Sequence, residues 1–170
     1  MINTNKKIQY FLYYYTPAIL LYTSILSEID FNNSEFKYFS FNFAYILIFH
    51  YSLKREGSIG YIVIFIAGLF NDVVNGIPMG ISSLTYLLLC AAAAYLRNIT
   101  LRPNIIKDWF FFLITIMVLN LITFAILIFF FEYKINYFDQ MINIMFTFLL
   151  YLIFSHLFKT YDNIILGKFN

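Results

Sequence analysis

Apolar residues fall into six blocks separated by short polar segments, and each block is compared with the roughly 20 residues that carry a helix across a hydrocarbon core about 30 Å thick. The blocks cover 8–26, 38–53, 58–74, 80–96, 109–131 and 141–158. The second, third and fourth are short, so tilt or local thinning of the bilayer is expected there. The pattern predicts an all-α polytopic membrane bundle of six transmembrane helices in a single domain, 1–170. Loops are short, so consecutive spans are expected to run antiparallel. One alternative keeps a short segment, around 71–79, as a re-entrant or interfacial helix.

Charge orients this layout. Lys6 and Lys7 precede the first span, Lys54 and Arg55 separate spans two and three, Arg97, Arg102 and Lys107 separate four and five, and Lys159 and Lys168 follow six. That places nine of the eleven basic residues on one side. Lys37 and Lys134 fall on the other side, with Glu28, Asp30, Glu35, Glu132 and Asp139. By the positive-inside rule both termini are cytoplasmic and the membrane is crossed an even number of times. The N-terminal run follows two lysines but lacks a small-residue cleavage pattern, and reads as a retained span. Lys54, Arg55, Arg97 and Arg102 read first as topological anchors against anionic lipid, and second as a contact surface for a cytoplasmic partner.

Composition agrees: 62% hydrophobic and 12% charged residues, with a mean hydropathy of +0.77, exclude an ordinary soluble domain. A net charge of +2 gives no footprint for nucleic acid. Twenty-two Phe and 15 Tyr exceed what interfacial belts require, and are read as compositional bias. The single cysteine, Cys90, supports neither a disulfide framework nor a paired-cysteine metal site, and reads as a small buried hydrophobe.

The stretch 68–80, Gly-Leu-Phe-Asn-Asp-Val-Val-Asn-Gly-Ile-Pro-Met-Gly, places one carboxylate, Asp72, between two long apolar runs. At 1.5 Å per residue from Ser58, Asp72 lies about 21 Å from the inner surface, in the outer third of the core. Its expected role is to lock the turn by accepting from free amides at the start of span four. Partner binding or ion pairing, and proton handling, rank below. Gly76 suits a left-handed helix ending, Pro78 the first turn of span four, and Gly80 close packing of that helix on a neighbour. Ser82, Ser83, Thr85 and Ala91 to Ala94 form a small face expected to pack within the bundle in preference to a second chain.

His50 and His156 read as interfacial residues with hydrated tips, and Asn120 as a hydrogen-bond donor to another helix. No nucleophile is paired with a base, no phosphate-cradling glycine loop is present, and no metal or cofactor is expected.

Arg55-Glu56-Gly57-Ser58-Ile59-Gly60, then Phe65 to Asp72, then Gly76-Ile77-Pro78-Met79-Gly80 and the Leu- and Ala-rich helix ending at Arg97 together resemble the core of the MreD family of rod shape-determining membrane proteins. The likeness covers about 45–97, a basic inner turn, Gly-Leu-x-x-Asp, and Gly-x-Pro-x-Gly. It departs at Asn71, where an apolar residue is less surprising. The resemblance implies a non-enzymatic scaffold of the cell-elongation machinery, with a layout similar to substrate-binding subunits of energy-coupling-factor transporters. The implied partner is an MreC-like membrane protein, connecting indirectly to the MreB filament and peptidoglycan synthases. Gly68, Asn71, Asp72, Gly76, Pro78 and Gly80 are the expected structural or partner-contact turn, and no small-molecule substrate is expected. The alternative is a vitamin-binding transporter subunit of the same layout, weakened because Ala18 is followed four residues on by Tyr22 rather than alanine.

Overall fold

The computed structural model describes residues 14–26, 41–55, 57, 59–100, 104–132 and 136–167. Six helices account for nearly all of them: α1 (14–26), α2 (Phe43–Lys54), α3 (Tyr61–Asn75), α4 (Ile81–Ile99), α5 (Ile105–Phe131) and α6 (Tyr137–Gly167). No strand occurs among the described residues. Among the described residues two helices, α5 and α6, are long and apolar enough to cross a membrane, and α3 is a shorter apolar helix.

The boundaries follow local chemistry. α2 starts at Phe43, later than the apolar block, because Asn42 is extended and its side chain accepts from the Tyr45 amide at 3.1 Å. The Asn42 amide is satisfied in turn by Thr147 Oγ1 of α6 at 2.9 Å. α3 starts at Tyr61, and Ser58 lies outside the described residues. α5 is capped by Asn104, whose Oδ1 accepts from the Ile106 amide at 3.0 Å, and extends the expected 109–131 span by a turn. α6 overruns its 141–158 block at both ends.

α2 is the centre of the bundle. Every residue from Ile46 to Leu53 is buried, so this helix has no lipid- or solvent-facing side. α4 packs against α2, α3 and α5, and α6 closes on α2 and α5. The aromatic residues that composition made look incidental fill the α2–α5–α6 junction. Phe49 lies 5.0 Å from Phe112, and Phe112 stacks on Tyr151 at 4.5 Å. Trp109 stacks on Phe148 at 4.3 Å and donates its indole N–H to the Phe148 carbonyl at 2.9 Å. Rigid rings with a polar handle fill such a junction and fix its rotation at once.

The outward faces are apolar. On α3, Ile62, Phe65, Ile66, Phe70 and Val73 are exposed, while Ile64, Ala67, Gly68, Asn71 and Asp72 face the bundle. α5 and α6 expose Leu121, Phe129, Phe130, Met141 and Met145 in the same way.

Candidate functional site

The turn between α3 and α4 gathers the polar atoms into one structure. α3 ends as Gly76 takes the left-handed conformation, φ 62° and ψ 29°. The Gly76 amide donates to the Val73 carbonyl at 3.4 Å and the Ile77 amide to the Asp72 carbonyl at 3.0 Å. These are the paired bonds of a Schellman ending, and they satisfy two carbonyls that a helix C-terminus leaves open.

Asp72 is fully buried and serves both helices. Its backbone carbonyl closes α3, while its side chain caps α4 from outside. Oδ2 accepts from the Gly80 amide at 2.6 Å and Oδ1 from the Ser82 amide at 2.9 Å. Gly80, the residue at the cap position of α4, carries no side chain able to do this, so a residue eight positions earlier substitutes. The positive end of the α4 dipole supplies the electrostatic complement to the carboxylate.

The helices cross closely just below the turn. A Cβ placed on Gly68 would lie 2.4 Å from Ser83 Cα and 2.5 Å from Ser83 N, so only glycine fits. Ser83 Oγ donates to the Phe65 carbonyl at 2.9 Å, and the Asn71 amide group donates to Ser82 Oγ at 3.0 Å. Asn71 is therefore part of the turn, although its Oδ1 is buried without a hydrogen-bond partner among the described residues. The small face of α4 is used where it holds Ser82, Ser83, Thr85 and Ala93, all buried. Thr85 reaches Thr123 of α5 at 3.0 Å, whereas Ala91 is exposed.

Two expectations about this turn are corrected. Pro78 lies outside α4, which starts three residues later at Ile81, so it shapes the connecting turn and not the helix's first turn. Gly80 makes no close approach among the described residues, where a Cβ there would meet nothing within 4 Å. It is needed for its backbone, at φ +101°, and the close approach belongs to Gly68.

At the opposite end of the bundle the basic residues are engaged. Lys54 Nζ lies 2.6 Å from Asp108 Oδ2, and the Asp108 side chain is almost wholly buried. Arg55 pairs with Asp162 and also lies over the Tyr51 ring, 5.1 Å from its centroid. Arg97 donates to the Ser52 carbonyl at 3.1 Å. Arg55 and Arg97 line, with Ser52, Tyr61 and Cys90, a cavity of about 20 Å³, room for about one water. Arg102 lies outside the described residues. Sequence reasoning counted the cations at this end and overlooked Asp108 and Asp162, the acids among them.

His50 and Asn120 also differ from expectation. His50 is buried, with its ring 5.5 Å from Tyr51 and 5.3 Å from Phe158, because α2 is enclosed on every side. His156 is exposed, as expected. Asn120 donates to the Ile116 carbonyl of its own helix at 2.8 Å instead of bridging to another. Cys90 is buried and accepts from Ser52 Oγ at 3.2 Å. Among the described residues, no three His, Cys, Asp or Glu side chains cluster as a metal site would require.

Comparison with protein-family models, with curated proteins and with solved structures returned no match. The functional reading therefore rests on the residues and their geometry.

Proposed function

We propose that the chain is a non-enzymatic scaffold subunit of MreD type in the bacterial rod complex, crossing the inner membrane six times with both termini cytoplasmic. In this reading it associates with an MreC-like membrane protein and through it serves the MreB filament and the peptidoglycan synthases that maintain cell shape. The observation that carries the proposal is Asp72. The carboxylate that stands out in the sequence is fully buried, with its two oxygens bound by the Gly80 and Ser82 amides, so it holds two helices and presents no free atom to a substrate.

Further support comes from the surface. Apolar side chains cover the outward faces of α3, α5 and α6, a surface suited to lipid and to other membrane helices. The basic residues collect at one end, where the positive-inside rule sets the cytoplasm. The turn lies at the opposite end, so it is the part of this hairpin nearest a periplasmic partner.

The test is co-purification of the full chain with the MreC-like protein, paired with cell shape after depletion. The expected result is a stable complex, rounded cells on depletion, and weakened association for Asp72→Asn and Gly80→Leu. Association unchanged in both variants at normal expression would count heavily against the proposal. Rescue of growth and shape by an external vitamin would replace it with the transporter reading.

A further inference from the structure

The basic end of the bundle is recessed at α3. Gly68 of α3 crosses Ser83 of α4 and the two helices are antiparallel, so seven residues on from this crossing Tyr61 comes level with Cys90. Both line the same cavity, in agreement with that register. Tyr61 is the first residue of α3, whereas α4 continues nine residues past Cys90 to Ile99, about 13 Å at 1.5 Å per residue. The opposite ends are level. α3 runs seven residues past Gly68 to Asn75, about 10 Å. α5 runs eight residues past Thr123 to Phe131, about 12 Å, from a contact with Thr85 that lies two residues nearer the basic end than Ser83. With 15 residues, about 22 Å, α3 falls about 8 Å short of a 30 Å core, and the shortfall lies at the basic end.

Two guanidinium groups stand in that recess. Arg55 and Arg97 line the cavity with Ser52, Gly57, Tyr61 and Cys90, and among the described residues no carboxylate lines it. Both are held in position, Arg55 by Asp162 and the Tyr51 ring, Arg97 by the Ser52 carbonyl at 3.1 Å. The cavity has room for about one water, hence for a single oxygen atom, and it opens where Gly57 and Tyr61 are exposed. Gly60 gives α3 no side-chain cap, and the positive end of this helix's dipole lies beside the cavity. Directly next to it Tyr61 (65%), Ile62 (75%), Phe65 and Ile66 are exposed and form an apolar wall on α3.

We propose that this recess binds an anionic phospholipid of the leaflet at the basic end, with one phosphate oxygen entering the cavity beside Arg55 and Arg97 and the acyl chains lying along the Tyr61–Ile66 face of α3. The inference rests on the membrane reading above. Guanidinium groups below the ordinary headgroup level are costly in hydrocarbon unless an anion comes to them. Each presents several N–H donors in a fixed fork, so a phosphate can be added to the partners already bound. Basic pockets between membrane helices recognise lipid headgroups in this way. Free phosphate would satisfy the arginines alone, whereas a lipid brings phosphate and apolar chain together, matching the cavity and the α3 wall beside it.

The experiment uses the full chain in vesicles of phosphatidylcholine and phosphatidylglycerol, with Trp109→Phe removing the native tryptophan and one reporter tryptophan introduced at a time. Ile62→Trp reports the recess, and Val73→Trp the far end of the same helix. Brominated phosphatidylglycerol and brominated phosphatidylcholine compete as quenchers. The expected result is a preference for the anionic lipid at Ile62→Trp at least about fivefold above that at Val73→Trp. Arg97→Gln should cut it to below about twofold, whereas Lys159→Gln, which removes an exposed charge elsewhere at the same end, should leave it in place. Equal preference at the two reporters, or equal loss in the two charge variants, would mean diffuse attraction and overturn the site. If Arg97→Gln fails to insert, seen as lost quenching by phosphatidylcholine, Arg97→Lys keeps the charge without the fork, and an undiminished preference there overturns the site equally. A preference abolished by inorganic phosphate would reassign the site to the free anion and overturn the lipid assignment. Absence of quenching by either lipid at both reporters would instead overturn the membrane reading itself.

Discussion

Substitution of Gly68 by alanine is the sharpest probe of how the two helices of the turn are held. The added Cβ would lie 2.4 Å from Ser83 Cα, 2.5 Å from Ser83 N and 2.8 Å from Ser83 Oγ. Carbon atoms in contact prefer about 3.5–4.0 Å, so α3 and α4 must part by about 1 Å. The two closest atoms are backbone, and no rotamer change relieves them. Separation on that scale also stretches the Ser83–Phe65 and Asn71–Ser82 hydrogen bonds, now 2.9 and 3.0 Å. Overpacking costs about 1–3 kcal/mol and each of the two weakened buried hydrogen bonds about 1 kcal/mol, while alanine's higher helix propensity returns about 1 kcal/mol. The expected net loss is about 2–4 kcal/mol, measured by equilibrium unfolding in mixed micelles. Gly60→Ala is the control, because a Cβ there meets only Val63 Cγ2, at 3.9 Å, and loss of a cap glycine to alanine costs about 1 kcal/mol with no change in helix packing. If Gly68→Ala and Gly60→Ala unfold within about 0.5 kcal/mol of each other, the close crossing is refuted. Ser83→Ala in the Gly68→Ala background should not rescue it, since Ser83 Cα and N remain.

Asp72→Asn keeps the shape but turns an NH₂ toward one of two amide donors, so one charge-assisted bond is lost, and stability should fall by about 1.5–3 kcal/mol in the same unfolding assay. Gly76→Ala meets no neighbour but is forced to φ 62°, so it should cost about 1 kcal/mol, and a loss much above that would point to an unseen contact. Asp108→Asn leaves Lys54 unpaired, and because the Lys54 side chain is 31% exposed the loss should stay near 1 kcal/mol, with Lys54→Met recovering part of it in a double-mutant cycle. Trp109→Phe keeps the stack on Phe148 but loses the indole bond to its carbonyl, for about 1 kcal/mol, read from the denaturation midpoint.

Much of the helical layout was legible in the order of residues. Apolar blocks interrupted by charge locate the helices, and a lone carboxylate followed by Asn75-Gly76 marks a turn with a cap available to it. These are local signals, because helix periodicity and turn chemistry act within a few residues. Asp72 acts over eight to ten positions, still near enough to be anticipated, and its bonds to Gly80 and Ser82 have the expected form.

Other features were invisible because they depend on which surfaces meet. Gly68 and Gly80 look alike in sequence, yet one permits a backbone contact and the other a left-handed cap, a difference set by the crossing of α3 on α4. Lys54 and Asp108 are 54 positions apart, and Arg55 and Asp162 are 107 apart, so only tertiary packing pairs them. His50 lies near the inner end of an apolar run, which favours a hydrated tip, but α2 is surrounded and buries it. The sequence by itself determined that the chain is a set of apolar helices with a capped turn between the third and fourth. Only the tertiary structure decided which glycine is a contact, which cations are paired and which histidine is enclosed, because each is a relation between distant segments that no local periodicity encodes.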